Sequence, residues 1–251
     1  VYLGGNHFGA RAYSKNFNDE ELGQAIKYAH RYGVKVYLTC NTLIYDEEVA
    51  DFLNFVRYAH CSGIDAILIQ DLGMFDLIHQ KFPDLEIHAS TQMHIHNLDG
   101  ALIAKKLGFK RIVLARETDL STIKEIKEKT NLDIEVFVHG SLCVSYSGQC
   151  LFSSLVGGRS GNRGACAGSC RLPYDVISRN NEVLNTTKKY PLSMKDLCTV
   201  SNIGKLMDIG VNSFKIEGRM KSKEYVYLVT KLYRKAIDSY LEKKKVIIDY
   251  D

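Results

Sequence analysis

The sequence predicts an α/β fold, and within that class a TIM-like (β/α)8 barrel, from three observations. Short apolar segments alternate with amphipathic helical segments along most of the 251 residues, as in the βαβ units of a parallel sheet. The strand segments are almost continuously apolar, which is typical of a sheet covered by helices. Seven such strands are visible and a closed barrel needs eight, so we expect the first strand of the barrel to precede Val1.

The first two strand–helix units show the pattern clearly. The opening strand, VYLGG, ends in two glycines and is followed by a helix over 18–31. Asn18 can cap that helix, with Glu21 at the reciprocal position of a capping box. The β-branched and aromatic residues of 34–40 predict the second strand, and apolar residues at helical spacing predict a helix over 46–61.

The remaining elements continue this alternation, with one interruption past the midpoint. We predict strands over 66–70, 85–89, 111–115, 134–139 and 213–216, and helices over 74–82, 99–107, 120–130, 200–207 and 222–244. Residues 140–190 break the pattern, so we expect one barrel domain over 1–251 with a cysteine-rich insertion at 140–190, after the seventh strand of the complete barrel. An open doubly wound sheet is the alternative fold, although no glycine-rich phosphate fingerprint follows any strand.

Composition sets the compartment that we expect. The net charge of +4 is small, and the basic residues are spread along helices that also carry acidic residues. This charge pattern is compatible with a nucleic-acid partner but does not predict one. No apolar run approaches the roughly 18 residues of a membrane span and no secretion signal opens the chain, so we expect a cytoplasmic protein without a membrane partner. Thiols stay reduced in that compartment, where clustered cysteines more often bind metal than form disulfides.

Four of the seven cysteines lie in the insertion and are the strongest candidates for metal ligands. They are Cys143, Cys150, Cys166 and Cys170. Four thiolates suit a tetrahedral zinc ion or an iron–sulfur cluster. We favour a cluster of the 4Fe–4S type, with zinc as the alternative, because only the second pair approaches the tight spacing of zinc knuckles. Cys198 or Cys40 could replace Cys170 as the fourth ligand. The alternative to a metal site is that the four cysteines are reduced and only pack against their neighbours.

Polar residues follow the predicted strands at the end where barrel enzymes carry their active sites. The candidate substrate-binding residues at these ends are Arg11, Asn41, Gln92 and Arg116. The candidate catalytic residues are His139, Glu217 and Arg219. The alternative is that these are the ordinary polar strand ends of a structural α/β protein.

Two further groups are weaker candidates. The histidines of HASTQMHIH could hold a metal, but no third ligand at zinc-site spacing stands out, so we favour ordinary hydrogen-bonded histidines. Arg159, Arg163 and Arg171 could bind a phosphate or a carboxylate, or could lie in a solvated loop. No hydrolase motif such as GxSxG or HExxH is present, so a nucleophile and base for hydrolysis are not visible.

Several long motifs resemble peptidase family U32, the collagenase-like protease family. In chain order they are VYLGGNHFGAR, HASTQMHIHN, HGSLCVSYSGQC, GGRSGNRGACAGSCRLPY and FKIEGRMKSKEYV. The resemblance covers essentially the whole chain. It implies a further strand before Val1 and, in many members, a small β domain after the terminal helix.

The resemblance implies two competing functions. One is proteolysis, including collagen degradation, with a peptide as substrate. The other is RNA hydroxylation, in which a tRNA wobble uridine becomes 5-hydroxyuridine with prephenate as a required metabolite, or a ribosomal RNA cytidine is modified. Other relatives act in oxygen-independent ubiquinone hydroxylation. These hydroxylation relatives are iron–sulfur proteins, and their cluster cysteines match the four of the insertion.

We favour tRNA hydroxylation, because a redox cluster has a role in hydroxylation and none in simple peptide hydrolysis. The partners are then tRNA and a small carboxylate metabolite, prephenate. Arg11, Arg116 and Arg219 are the cationic residues that suit its carboxylates. A peptidase is the first alternative, and a non-catalytic subunit that docks a partner enzyme is the second.

Overall fold

Parallel strands that pair in chain order form the main sheet. The computed structural model describes residues 1–184 and 189–246. Its strands are β1 (Tyr2–Leu3), β2 (Tyr37–Cys40), β3 (Ala66–Ile69), β4 (Glu86–Ala89), β5 (Arg111–Val113), β6 (Asp133–Gly140), β7 (Val176–Ile177), β8 (Val183–Leu184), β9 (Leu197–Cys198) and β10 (Ser213–Ile216). In the sheet β10 follows β6, β9 pairs antiparallel with the end of β6, and β7 and β8 form a separate hairpin.

Helices connect successive parallel strands, as βαβ units require. They are α1 (Asp19–Arg31), α2 (Val49–Cys61), α3 (Leu72–Lys81), α4 (Leu98–Leu107), α5 (Leu120–Thr130), α6 (Phe152–Gly157), α7 (Ile203–Ile209) and α8 (Lys223–Lys243). The predicted capping box of α1 is confirmed, because Asn18 accepts from the Glu21 amide and Glu21 accepts from the Asn18 amide. Within the described ranges, no helix combines the length and the apolar character that crossing a membrane requires.

The predicted elements are confirmed, with boundary shifts of a few residues. Helix α5 and strand β10 have the predicted bounds. The predicted strand over 34–40 shortens to β2, because the Val36 amide donates to the Asp65 carboxylate at 2.7 Å and not to a neighbouring strand. The predicted helix over 46–61 begins as a 3₁₀ turn over Asp46–Glu48 before α2.

The two faces of the sheet differ in chemistry. Leu38, Ile67 and Ile134 face outward and belong to a continuous apolar core between the sheet and the helices. The intervening residues face the concave side of the sheet, and several of them are buried and polar: Thr39, His88, Glu135 and Lys215. Barrel interiors are ordinarily filled with branched apolar side chains. The concave side of this sheet therefore offers polar groups to a ligand.

Strands β1 and β10 are the two edges of the curled sheet, and a side chain bridges them. The Tyr2 hydroxyl donates to the Ile216 carbonyl oxygen at 2.9 Å, and the Lys215 ammonium lies 4.1 Å from the centroid of the Tyr2 ring. The predicted α/β fold with a curled parallel sheet is confirmed. A closed eight-stranded barrel is not formed by residues 1–184 and 189–246, because seven parallel strands are present there and no backbone ladder joins β1 to β10.

A long connection between β6 and β9 carries four of the cysteines. From Gly140 the chain leaves the sheet, forms α6 and the β7–β8 hairpin, and returns at β9. Residues 185–188 of the predicted insertion and 247–251 of the predicted domain lie outside the described residues.

Candidate functional site

A cavity of about 740 Å³ opens at the carboxyl ends of the parallel strands. Its floor is the concave side of the sheet, with Thr39, Leu68, Phe137 and Lys215 among the lining residues. Its walls come from the loops after β1, β4 and β5 and from the connection that follows β6. Barrel enzymes bind substrates at this end of the sheet, where the sequence analysis placed the candidate residues.

Glycines allow the connection after β6 to lie directly against the strand-end loops. Gly164 has a φ of +88°, and a Cβ atom there would lie 2.5 Å from the Ala12 amide nitrogen. Gly148 has a φ of +74°, and a Cβ atom there would collide with the Gln92 carbonyl oxygen. Both positions combine the left-handed conformation with a close backbone approach, which glycine alone tolerates. The connection therefore forms a packed wall of the cavity.

Two arginines hold this wall in place. The Arg163 guanidinium donates to the Leu43 carbonyl oxygen, and also to the Glu48 carboxylate at 2.5 Å. The Arg171 guanidinium donates to the Leu142 carbonyl oxygen at 2.5 Å. Neither predicted role of the arginine run, an anion site or a solvated loop, fits these two residues. Their donors bind backbone and carboxylate groups of the protein itself.

Asn41 and Gln92 line the cavity, but their polar groups are engaged within the protein. The Asn41 side chain accepts from the Ala10 amide at 3.2 Å and donates to the Ser90 hydroxyl at 3.1 Å. The Gln92 side chain donates to the carbonyl oxygens of Asn41, at 2.9 Å, and of Asn162, at 3.3 Å. These contacts join three loops around the cavity. These two of the four residues predicted to bind substrate therefore hold the loops of the cavity in position.

The loop after β5 is tied to the connection by a second polar network. The Ser147 amide and hydroxyl both donate to the Glu117 carboxylate at 2.9 Å, and the Ser147 hydroxyl accepts from the Arg116 amide at 3.1 Å. Burial raises the pKa of Glu117, but the hydrogen bonds from Ser147 outweigh it and hold the pKa below its ordinary value. Nε2 of His94 lies 3.0 Å from this carboxylate. The contact is a close approach and not a hydrogen bond, because this buried nitrogen has no hydrogen-bond partner in the described residues.

Three arginines and one glutamate form the charged centre of the cavity, which we call the arginine centre: Arg11, Arg116, Arg219 and Glu217. Nη2 of Arg11 lies 3.1 Å from Oε2 of Glu217, and Nη2 of Arg116 lies 3.8 Å from the same oxygen. Arg219 donates to the Thr39 hydroxyl at 2.7 Å. The sequence predicts these residues separately, at the ends of three strands, and the structure brings them together.

The arginine centre carries an excess of positive charge. Burial raises the pKa of Glu217, but the guanidinium groups of Arg11, Arg219 and Arg116 outweigh it, so the pKa lies below its ordinary value. An ionised Glu217 among three cations leaves a formal charge of +2. Glu217 is 8 % exposed, and neither its Oε1 nor the Nε of Arg219 has a hydrogen-bond partner in the described residues. Buried polar atoms left without a partner mark a place where a ligand can bind.

A buried ion pair below this centre was missed by the sequence analysis. Lys215 lines the cavity, and its ammonium lies 2.8 Å from Oε1 of Glu135. Ser213 donates to the other carboxylate oxygen at 2.8 Å, and Arg111 lies 3.7 Å from it. The signal was present, because a lysine within SFKI and a glutamate within IEVFVH are unusual inside apolar strands.

All four cysteines of the connection line the cavity and are free thiols: Cys143, Cys150, Cys166 and Cys170. Burial raises the pKa of the Cys170 thiol, and the Cys143 thiol raises it further. The Gly168 amide donates to the sulfur of Cys166 at 3.3 Å. Cys40 is buried in the apolar core and Cys198 lies on β9, and neither belongs to the cavity lining formed by the described residues.

The four thiols are soft ligands of the kind that both iron–sulfur clusters and zinc ions take. In residues 1–184 and 189–246, no group of three or more His, Cys, Asp or Glu side chains converges closely enough to hold one metal ion. A zinc ion needs its sulfur ligands at about 2.3 Å from one atom. A 4Fe–4S cluster spreads four cysteines over four irons, so thiols lining one cavity wall can serve it without meeting at a point.

His139 lies away from the arginine centre, although the sequence analysis grouped it with Glu217 and Arg219 as catalytic. It is absent from the cavity lining in the described residues, and its ring packs against Tyr225 and Tyr233 of α8. The register between β6 and β10 shifts after Lys215, so that His139 pairs with Ile216 on the outward side. This shift removes His139 from the cavity.

Comparison with known proteins finds relatives along nearly the whole chain. The sequence pattern of peptidase family U32 matches residues 1–250. The 23S rRNA 5-hydroxycytidine C2501 synthase of Escherichia coli is 42 % identical over 244 residues, which cover 97 % of this chain and 37 % of that protein. The tRNA hydroxylation protein P1 of Bacillus subtilis is 36 % identical over 245 residues, which cover 96 % of this chain and 58 % of that protein. The chain therefore spans less than two thirds of the length of these relatives.

A solved structure has the same fold. The structure of the U32 peptidase Mk0906 superposes with a TM-score of 0.56 at 13 % identity, covering 87 % of this chain and 84 % of that one. At this identity the likeness concerns the fold alone.

Proposed function

Because the chain belongs to peptidase family U32, we propose that it acts in the hydroxylation of RNA. The favoured substrate is tRNA, with a wobble uridine as target and prephenate as the required small carboxylate. Two relatives that match nearly all of this chain are named for RNA hydroxylation or hydroxycytidine synthesis. In such a reaction the C–H bond at C5 of the pyrimidine becomes C–OH. If water supplies the oxygen atom, the step releases two protons and two electrons, and an electron acceptor must take those electrons.

The arginine centre is the observation that carries the proposal. It places a formal charge of +2 in a cavity at the ends of the strands, beside two polar atoms that lack partners in the described residues. Guanidinium groups bind carboxylates by paired, charge-assisted hydrogen bonds. A dicarboxylate would neutralise the excess charge and accept from the Nε of Arg219, whereas Oε1 of Glu217 is itself an acceptor and would need a donor of the ligand, such as a hydroxyl. Arg11, Arg116 and Arg219 would hold and orient it, while the buried Glu217 spaces the three cations.

The four thiols that line the same cavity would hold an iron–sulfur cluster. When bound, such a cluster would transfer electrons one at a time, which an oxidation such as hydroxylation can use and a peptide hydrolysis does not need. Small residues surround the cysteines, and backbone amides such as that of Gly168 donate to sulfur, as is common around clusters. A cytoplasmic location, which the sequence predicts, belongs to this proposal because cluster thiols must stay reduced.

Anaerobic purification tests the cofactor. We expect broad visible absorption with matching amounts of iron and sulfide. Substituting Cys143 or Cys166 by serine should abolish both, whereas Cys198→Ser and Cys40→Ser should retain them. A colourless protein that contains one zinc ion would contradict the cluster.

Mass spectrometry of tRNA nucleosides tests the reaction. A strain that lacks its own tRNA hydroxylation activity should regain 5-hydroxyuridine when it expresses the protein. Single alanine substitutions of Arg11, Arg116 and Arg219 should each reduce the modification, and Arg234→Ala, on the exposed face of α8, serves as the control. If all three variants remain fully active, the arginine centre does not bind the required metabolite.

Proteolysis is the second candidate, because the family carries a peptidase name. The nearest resemblance to a nucleophile and base is Cys198 on β9, which pairs with His139 across the two strands. No hydrogen bond joins their side chains in the described residues, so this pair gives weak support. Gelatin cleavage that is resistant to added protease inhibitors and lost in Cys198→Ala would establish the peptidase. A non-catalytic subunit would instead co-purify with its partner enzyme and be inactive alone.

A further inference from the structure

We propose that the opening of the cavity binds one unpaired nucleotide of an RNA strand by stacking its base on exposed aromatic side chains. The side chains are Tyr13, Tyr146 and Phe152, which we call the aromatic rim. This inference rests on the proposed function, and it adds where and in what form the RNA is held.

The aromatic rim is exposed although it is largely apolar. Tyr13 is 63 % exposed, Tyr146 67 % and Phe152 44 %, and all three line the cavity. Tyr13 comes from the loop after β1, and Tyr146 and Phe152 come from the connection, so two segments distant in sequence contribute exposed rings to the lining of one cavity. Leu151 and Leu155 extend the same apolar surface. Clustered apolar exposure at the opening of a cavity is typical of a binding site.

The charge beside the rim indicates that the occupant is anionic. The Arg159 guanidinium lies 5.9 Å from the centroid of the Tyr13 ring, and it makes no ion pair within the described residues. It differs in this from Arg163, which is bound to Glu48. Below the rim lies the positive arginine centre. A peptide would use the apolar surface but has no general need for these cations.

A nucleotide matches both features. Its base is planar and stacks on aromatic rings regardless of sequence, and its phosphates are attracted to arginine. Bases in a duplex are stacked on one another, so enzymes that modify a base act on single-stranded or extruded nucleotides. The aromatic rim and the four cysteines line the same cavity, so a base held by the rim would lie in the cavity that the cysteines also line.

Fluorescence anisotropy with a short fluorescein-labelled single-stranded RNA tests this inference. A base has two faces, so one or two of the variants Tyr13→Ala, Tyr146→Ala and Phe152→Ala should weaken binding by about fivefold or more, the lower limit of base–aromatic stacking. Tyr13→Phe keeps the ring and should bind as the parent does. The matched control is Tyr28→Ala, because Tyr28 is also 63 % exposed but lies on α1 and packs against Tyr32. Thermal unfolding verifies that each variant is folded.

Salt dependence and competition give independent readouts. Arg159→Ala should reduce the slope of log affinity against log salt by about 0.7, the value for one single-strand phosphate contact. A blunt RNA duplex should compete poorly against the single strand. If the three alanine variants bind the RNA as tightly as the parent, the rim is not the RNA site. If they lose binding of a gelatin peptide and keep that of RNA, the rim is a peptide surface and the inference is overturned.

The hydroxylation assay separates this inference from the proposed function. If the protein hydroxylates tRNA but its RNA affinity is unchanged in the rim variants, the inference is wrong and the proposed function is supported. If the rim variants lose RNA affinity but the parent protein hydroxylates no RNA, the rim is supported as an RNA site and the proposed function is wrong.

Discussion

Replacing Glu217 with glutamine should change ligand affinity and protein stability in opposite directions. The substitution removes the one negative charge among three guanidinium groups, so the formal charge of the arginine centre rises from +2 to +3. A ligand carboxylate at about 5 Å from Glu217 is repelled by at most about 3 kcal/mol at an effective dielectric constant of about 20. Because the cavity is open to water, we expect a smaller gain, of about tenfold to a hundredfold in affinity for prephenate.

The same change should destabilise the ligand-free protein. Glu217 is buried and lies 3.1 Å from Arg11 and 3.8 Å from Arg116. Removing one partner of a buried ion pair costs about 3–5 kcal/mol, and the partial exposure of Arg11 reduces this to about 2–3 kcal/mol. Glutamine keeps the shape of the side chain, so the loss reports charge and not packing.

Calorimetric titration with prephenate and denaturant unfolding measure the two effects on the same samples. The matched control is Glu128→Gln on the exposed face of α5, which should alter neither. Saturating prephenate should restore much of the stability that E217Q loses, because the dianion replaces the missing charge. Weaker prephenate binding in E217Q, at unchanged stability, would refute this reasoning, because Glu217 would then be a ligand contact that the three arginines do not need.

Three further predictions concern stability. Burial raises the pKa of Glu217 and of Glu135, but neighbouring cations outweigh it and hold both pKa values below the ordinary carboxyl value of 4.5. The stability that these two ionised carboxylates add to the folded protein is therefore complete above pH 4.5 and is lost as the pH falls below that value. The loss of stability in acid should consequently be smaller in E217Q. Gly168→Ala, with a φ of +67° but nothing within 4 Å, should cost only the backbone strain of about 1–3 kcal/mol, whereas Gly164→Ala, whose Cβ atom would also meet the Ala12 amide nitrogen, should cost more than that and expose the connection to trypsin. Lys215→Met should cost about 3–5 kcal/mol in urea unfolding by leaving Glu135 buried, and the double variant Lys215→Met/Glu135→Met should lose less. Equal losses in the two glycine variants, or a double variant less stable than Lys215→Met, would contradict these accounts.

The elements of the fold were predictable because their signals are local. The Asn18 and Glu21 pair identifies the start of α1 from four consecutive residues, and the apolar run of β3 identifies a strand buried on both faces. Strand ends in a parallel sheet meet at one edge, so the order of strands and helices alone places Arg11, Arg116 and Glu217 near one another. These inferences require only periodicity and topology.

The orientation of individual side chains was not predictable, because it depends on contacts distant in sequence. His139 lies near the end of β6 and Glu217 directly follows β10, yet a one-residue shift in register turns His139 toward α8 and leaves Glu217 in the cavity. Asn41 and Gln92 reach the cavity as predicted, but carbonyl groups of other loops occupy the Gln92 donors and the Ser90 hydroxyl binds Asn41. Such hydrogen bonds cannot be read from residue type and spacing.

The polarity of the concave side is itself an argument for a ligand. Burying Glu135, Lys215 and Glu217 costs solvation energy, and apolar residues would stabilise the same space at less cost. The ion pair of Glu135 and Lys215 satisfies its own groups, whereas Glu217 retains a buried oxygen without a partner in the described residues. A ligand present at about a hundred times its dissociation constant stabilises a protein by about 2.7 kcal/mol. The arginine centre should therefore be the part of the molecule that gains most order and protection from hydrogen exchange when a dicarboxylate binds, and the outer core of the sheet should gain least.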